Sequence, residues 1–229
     1  MTGTAAELRR LLDRTTLPTT LVEDLVRDAP DLWLTSNSSS VLAADLALCH
    51  PALGPSEVRA RGVPFVHRSS WRLTVVAHDR PGLLADTAGA LASAGHSVTM
   101  ASVATWSDLD IALHSLTVAG PLPDGETLDA IGRSLRRPPA FEYHPAGGGS
   151  VSWVDAGFGR SLLTIAATDQ NGLLWAICNW LAGQGVSIEA AGMQSEGNEA
   201  HGVLLVHVDA AAGDGAARPI EVDALSALL

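Results

Sequence analysis

Two six-residue segments hold the side chains best suited to chemistry: Asp79-Arg80-Pro81-Gly82-Leu83-Leu84 and Asp169-Gln170-Asn171-Gly172-Leu173-Leu174. In each, a carboxylate stands three residues before a glycine, and an apolar run of helical character follows. Gly82 and Gly172 have no Cβ, so a small molecule can come close to the backbone there. A helix start leaves backbone N–H groups unpaired and carries the positive end of the helix dipole, which suits a carboxylate. Asp79 or Asp169 offers an acceptor for an ammonium group. Together these are what an α-amino acid requires. The same residues have a plainer use, because Asp before Pro or Asn also caps a helix and Gly also makes a turn. Capping is the expected role of the Asp, and capping and binding are compatible.

Other chemistries find no anchor. His78-Asp79 has the residue types of a metal pair, but it ends a strand beside Pro81 and lacks the further ligands such a site requires. His50, His67, His96, His114, His144, His201 and His207 are scattered without His-x-x-x-His spacing. There is no Gly-x-Ser-x-Gly elbow. Gly157-Phe158-Gly159 precedes a strand, whereas the glycines of a dinucleotide fingerprint follow one. All 14 basic residues are Arg, and without Lys neither Schiff-base chemistry nor a P-loop is open to this chain. No nucleophile, base and orienting group assemble into a catalytic set, so the expectation is a protein with no catalytic residue, no metal and no cofactor.

The elements that must position the two turns form an internal repeat. Leu73 to Ser102 laid over Leu163 to Gly192, an offset of 90, gives 12 identities in 30 positions without a gap. A period this long marks a domain, not a solenoid unit. In the first copy Trp71, Leu73, Val75 and Ala77 alternate with Arg72, Thr74 and Val76, as in a strand with one buried face. After the turn, Leu83, Leu84, Thr87, Ala88, Leu91 and Ala92 form one stripe of a helix, which Leu173, Leu174, Ile177, Cys178, Leu181 and Ala182 repeat. Gly95 and Gly185 stand where left-handed C-caps would end these helices. Strands are expected over 98–105 and 186–193, then over 111–118 and 202–208, with helices over 124–136 and 220–228. Ala140 to His144 is the expected fourth strand of the first copy. The second copy lacks an equivalent. Short extended segments precede both copies, Pro64 to Arg68 and Ser150 to Asp155, and one of them is expected to complete the second sheet, by exchange between domains. The order βαββαβ describes an α+β ferredoxin-like module with an antiparallel sheet. The expected division is a helical segment over 1–62, a first module over 63–146 and a second over 147–229, with Gly147-Gly148-Gly149-Ser150 as the joint. Trp175 and Trp180 replace Ala85 and Ala90 of the first copy, outside the Leu stripe, which points to a covered interface.

Composition narrows the partners. A formal charge of -11 argues against nucleic acid, which requires a concentrated basic face. No apolar run approaches the roughly 20 residues of a membrane span. The start of the sequence lacks the basic and apolar regions of a secretory signal. Cys49 and Cys178 read as reduced core thiols of a cytoplasmic protein.

The duplicated strand–Asp-x-x-Gly-Leu-Leu–helix pattern resembles the ACT family of regulatory ligand-binding domains, over residues 64–229. The tandem, preceded by Pro30-Asp31-Leu32-Trp33-Leu34 and a helical stretch over Ser40 to Cys49, is similar to the C-terminal ACT pair of the bacterial protein-PII uridylyltransferases. The resemblance implies a non-catalytic sensor of a small amino acid, glutamine in those enzymes, without their catalytic domains. It implies a homodimer and an effector protein in nitrogen or amino-acid metabolism. The ligand-binding residues it implies are Asp79, Arg80, Pro81, Gly82 and Leu83 in the first turn, and Asp169, Asn171, Gly172 and Leu173 in the second. Gln170 and Asn171 replace Arg80 and Pro81, so the first turn keeps the family pattern better. The alternative is a degenerate pair kept for dimerisation or protein interaction, with no small ligand.

Overall fold

A computed structural model describes residues 4–65, 69–135, 141–208 and 222–229. Eight strands form one antiparallel sheet: β1 (Val58–Pro64), β2 (Ser70–Ala77), β3 (Val98–Trp106), β4 (Ile111–Ala119), β5 (Ser150–Gly157), β6 (Arg160–Thr168), β7 (Val186–Glu196) and β8 (Glu199–Val208). Their order is β1-β2-β4-β3-β7-β8-β6-β5, so the two copies lie side by side and meet at β3 and β7. One face carries the repeat helices α5 (Leu83–Ser93) and α7 (Leu173–Gly183), with α6 (Gly125–Ser134) and α8 (Val222–Leu228) toward the edges. This is the α+β pair of ferredoxin-like modules, each a four-stranded antiparallel sheet with two helices on one face.

The edge strands depart from the expected order. Phe141 to His144 form no strand, and Ala140 lies outside the described residues. The place a last strand would take beside β2 is already held by β1, paired from Val58↔Ala77 to Pro64↔Trp71. In the same way β5 pairs with β6 of its own module, from Ser150↔Ala166 to Gly157↔Arg160, with no exchange between modules. Each module therefore reads ββαββα, a ferredoxin-like sandwich whose last strand has moved to the front. Of the expected extended segment at Pro64 to Arg68, only Pro64 belongs to β1, which runs from Val58; Phe65 follows the strand, and residues 66–68 lie outside the described ones. Among the described residues no helix is long and apolar enough to cross a membrane.

The repeat helices end as their glycines dictate. In α5 the Gly95 N–H donates to the Ala92 carbonyl at 3.0 Å and the His96 N–H to that of Leu91 at 2.9 Å, with Gly95 at φ 78°. These two bonds satisfy carbonyls the helix would otherwise leave unpaired. The buried stripe of both helices forms one continuous core with Leu73, Val75, Val103, Leu163, Ile165 and Leu204 from the sheet.

The opposite face of the first module is not open to water, as one-sided alternation would have it. Helices α1 (Ala5–Leu12), α2 (Thr19–Arg27), α3 (Asp31–Leu34) and α4 (Ser39–Leu46) cover it. Their Leu8, Leu12, Leu25, Trp33 and Leu42 pack with Val76, Ala104, Trp106 and Leu113 in a second core. This is why Arg72 and Thr74, expected outside, are only 7% and 1% exposed. Both are held by Asp45 of α4. Arg72 forms a buried ion pair with the carboxylate, Thr74 Oγ1 donates to it at 2.7 Å and Ser115 Oγ at 2.8 Å. A buried carboxylate is tolerated only when its oxygens are matched in this way.

Removing this carboxylate leaves a buried guanidinium without its counter-charge. Asp45→Ala is expected to destabilise the protein by about 3–5 kcal/mol in urea denaturation. Asp45→Asn, which keeps one acceptor, is expected to lose less.

Candidate functional site

The β3–β7 pairing decides where the two turns point. Its register runs Met100↔Gln194, Ala101↔Met193, Ser102↔Gly192, Val103↔Ala191 and Ala104↔Ala190. Ser102 and Gly192 are equivalent under the 90-residue offset, so they lie on a pseudo-twofold axis between the copies. The axis brings α5 against α7 and places the turn of each module beside the helix and strand of the other.

The first cleft lies between Asp79–Ala85 of one module and Cys178, Ala182 and Val186–Ile188 of the other. All five residues expected in the first turn line it: Asp79, Arg80, Pro81, Gly82 and Leu83. Helix α5 begins at Leu83, with Gly82 as its N-cap at φ 79° and no side-chain cap. The N-cap residue is therefore Gly82 and not Asp79, and Asp169 likewise stands before an N-cap at Gly172 (φ 87°). The left-handed backbone that only glycine adopts easily sets the helix start three residues beyond each Asp. A Cβ on Gly82 would have only the Ala182 methyl nearby, at 3.6 Å. Arg80 forms an ion pair with Asp86 in the first turn of its own helix.

His114 also lines this cleft and is fully buried. The single hydroxyl proton of Thr87 goes to the Leu83 carbonyl at 2.9 Å, so His114 Nδ1 is the donor in the 3.0 Å bond to Thr87 Oγ1. Burial, with the nearby Arg80 charge, pushes the imidazole down to about 3. Burial likewise pushes the thiol of Cys178 well above its ordinary range. His78, beside Asp79, bonds Asp110 Oδ2 through Nδ1 at 2.8 Å and the Gly54 carbonyl through Nε2 at 3.2 Å, and the Asp110 bond raises its pKa.

The second cleft is the pseudo-symmetric counterpart. Asp169, Gln170, Asn171, Gly172 and Leu173 face Ala88, Ala92, His96 and Val98–Ala101 of the first module. Asn171 Nδ2 donates to the Ala92 carbonyl at 3.2 Å. Trp175 lies against α5, where a Cβ on Gly89 would come within 2.7 Å of its ring, so this indole covers the boundary between modules. Free space is small in both clefts, about 20 Å³ in the second and about 30 Å³ in the first, room for a water but not for an amino acid.

The residues contributed by the opposite module, Ala182, Ser187 and Ile188 in the first cleft and Ala92, Val98 and Met100 in the second, carry no chemical signature. The one sequence signal that leads to them is the repeat itself, once the two copies are known to pair through equivalent strands.

No protein-family model matches the chain, and no curated protein sequence matches it. Among solved structures it is similar to aspartate kinase from Synechocystis, at 15% identity and a TM-score of 0.40 over 62% of this chain and 24% of the kinase. The chain thus spans about a quarter of that enzyme's length. An unknown protein from Galdieria sulphuraria aligns at 18% identity and a TM-score of 0.27, over 60% of this chain and 81% of the other. A putative glycine cleavage system transcriptional repressor aligns at 14% and 0.23, over 63% and 82%. At these identities and scores no property of the three carries over.

The buried neutral His114 links stability to pH. Its folded pKa lies below the 6.5 of the unfolded chain, so below 6.5 the unfolded state binds a proton that the native state refuses. Stability is expected to fall by about 1.4 kcal/mol per pH unit from this group between pH 6.5 and about 3, and not to change above 6.5. His114→Gln should flatten that part of the slope, read as the difference between variant and wild-type urea midpoints across this range.

Proposed function

We propose that the chain is a non-catalytic regulatory sensor that binds a small amino acid where its two modules meet and signals to a partner protein in amino-acid or nitrogen metabolism. The observation that carries this reading is the placement of both Asp-x-x-Gly-Leu-Leu turns on the module boundary. A ligand at the first turn touches Asp79 to Leu83 of one module and Ser187 and Ile188 of the other, so its binding energy depends on how the modules sit together. That dependence is what a sensor requires, because a ligand shifts a conformational equilibrium only through differential affinity for its states. The tight clefts fit the same scheme: room for an amino acid comes from moving one module against the other.

The roles follow from the chemistry. The start of α5 meets the ligand carboxylate, Asp79 accepts from the ammonium, Gly82 allows close approach, and Arg80 exchanges its Asp86 partner for the ligand. Asp169, Asn171, Gly172 and Leu173 hold the equivalent positions in the second turn. Glutamine is the first ligand to try, by resemblance to the ACT pair of the uridylyltransferases, and a cytoplasmic homodimer is the working state. The titratable groups lining the first cleft support a role without catalysis. His114 is held neutral and bonded to Thr87, and the Cys178 thiol is shifted away from the nucleophilic thiolate.

The narrowness of the clefts also supports a second reading, a pair of modules kept for self-association or partner binding with no small ligand. Isothermal titration and thermal shift against the common amino acids, glutamine included, separate the two. Under the sensor reading one amino acid binds, and at a hundredfold excess over Kd it stabilises the protein by about 2.7 kcal/mol. Gly82→Val should abolish that response. Gly82→Ala carries a smaller left-handed backbone cost and far less bulk, and should keep a weakened one. Silence from every amino acid at millimolar concentration would sink the sensor reading.

A further inference from the structure

We infer that the segment joining the modules is a tethered strap, Phe141 and Tyr143, that holds the second turn closed, so that the chain takes its ligand at the first turn alone. The inference rests on the reading of the turns as amino-acid sites and adds what regulates the second of them.

Phe141 and Tyr143 are half-buried, while Glu142 and His144 between and after them are exposed. The segment thus presents one side to the protein without belonging to the sheet. The Phe141 ring lies over Gly172, where a Cβ would come within 2.7 Å of Cζ and closer still to Cε1. The ring meets Trp175 edge to face, at a centroid distance of 5.3 Å and an interplanar angle of 76°. Tyr143 Oη accepts a hydrogen bond from Gln170 Nε2. With Asn171 committed to the Ala92 carbonyl, three successive residues of the turn are engaged by the protein itself.

The first turn has no such cover among the described residues. The nearest neighbour of a Cβ on Gly82 is Ala182, at 3.6 Å. More telling is where the copies differ. Gln170 stands where the first copy has Arg80, and it is the residue that holds Tyr143. Trp175 stands where the first copy has Ala85, and it is the residue that seats Phe141. Two departures of the second copy, Gln170 and Trp175, are thus contact points of the strap. They describe a fitted seat for an internal occupant, where a turn that had merely lost its ligand would show unrelated changes. Because the strap is part of the chain, its effective concentration at the turn is high, and a free amino acid competes with it poorly.

The test compares the full-length protein with Phe141→Ala, and with Tyr143→Phe, which removes one hydroxyl and spares the packing. Hydrogen exchange of residues 169–174 reads the strap without any ligand, and isothermal titration with the common amino acids reads the number bound per chain. The expected result is roughly tenfold faster exchange in 169–174 for Phe141→Ala, with 79–84 unchanged. Stoichiometry should rise from one to two. If Phe141→Ala does not fold, Tyr143→Phe should show a smaller acceleration confined to the same residues. Faster exchange there with no amino acid bound by any protein upholds the strap and refutes the sensor reading. Exchange in 169–174 that no variant changes, or two amino acids bound already by the wild type, would overturn the strap.

Discussion

The placement of both turns depends on one short pairing, the five registered positions between β3 and β7. It turns two four-stranded sheets into one of eight strands and fixes the pseudo-twofold axis at Ser102 and Gly192. The residues at the junction are small: Ala101, Ser102 and Ala104 on one strand, Ala190, Ala191 and Gly192 on the other. Of these, Ala101 and Ala191 lie under the repeat helices, and Gly89 of α5 leaves the space that Trp175 of α7 takes. One core therefore runs beneath both helices without a break at the boundary. A packed, continuous core of this kind has discrete arrangements and resists gradual deformation.

The symmetry is broken on the other face. Among the described residues the layer of α1 to α4 lies mainly on the first module, and it is pinned by a charge as well as by apolar packing. Asp45 draws Arg72, Thr74 and Ser115 from two strands to one carboxylate. Arg59 and Arg61 of β1 reach the same layer, donating to the carbonyls of Leu48 at 2.8 Å and Ala44 at 2.8 Å. Because α3 also packs against β7, the layer spans the junction between modules. A movement of one module against the other would have to be accommodated there.

The sequence made the repeat and its helices legible because burial leaves a period. The Leu stripes, the glycines at 95 and 185 and the two turns all stand where the spacing puts them. The edge strands were harder to read for a physical reason. β1 alternates Val58, Ala60 and Gly62 with Arg59 and Arg61, a weak apolar face next to charges that serve the helical layer, and periodicity says nothing about which end of a module supplies an edge. The strand at the position of the missing one comes before its module, an order that the pattern of a single copy cannot specify. That the N-cap residues are Gly82 and Gly172 and not the Asp before them has a related reason. Capping propensity is local to the Asp, whereas the helix start is set three residues later by a glycine at positive φ.

The second turn shows how a duplicated element comes to differ from its twin. Both turns must satisfy the same fold: each needs its glycine at a positive φ, its Leu-Leu pair in the core, and a fit to the helix across the axis. The second must in addition satisfy the segment that connects the modules, because that segment has to pass from α6 to β5, and the way lies past Gly172. Its aromatic residues therefore need partners on the surface they cross, and Gln170 and Trp175 provide them. The segment that leads into the first module reaches His78 through the Gly54 carbonyl but leaves Gly82 uncovered, with only the Ala182 methyl near it among the described residues. Two copies with the same fold thus meet different constraints simply because one precedes the connection and the other receives it.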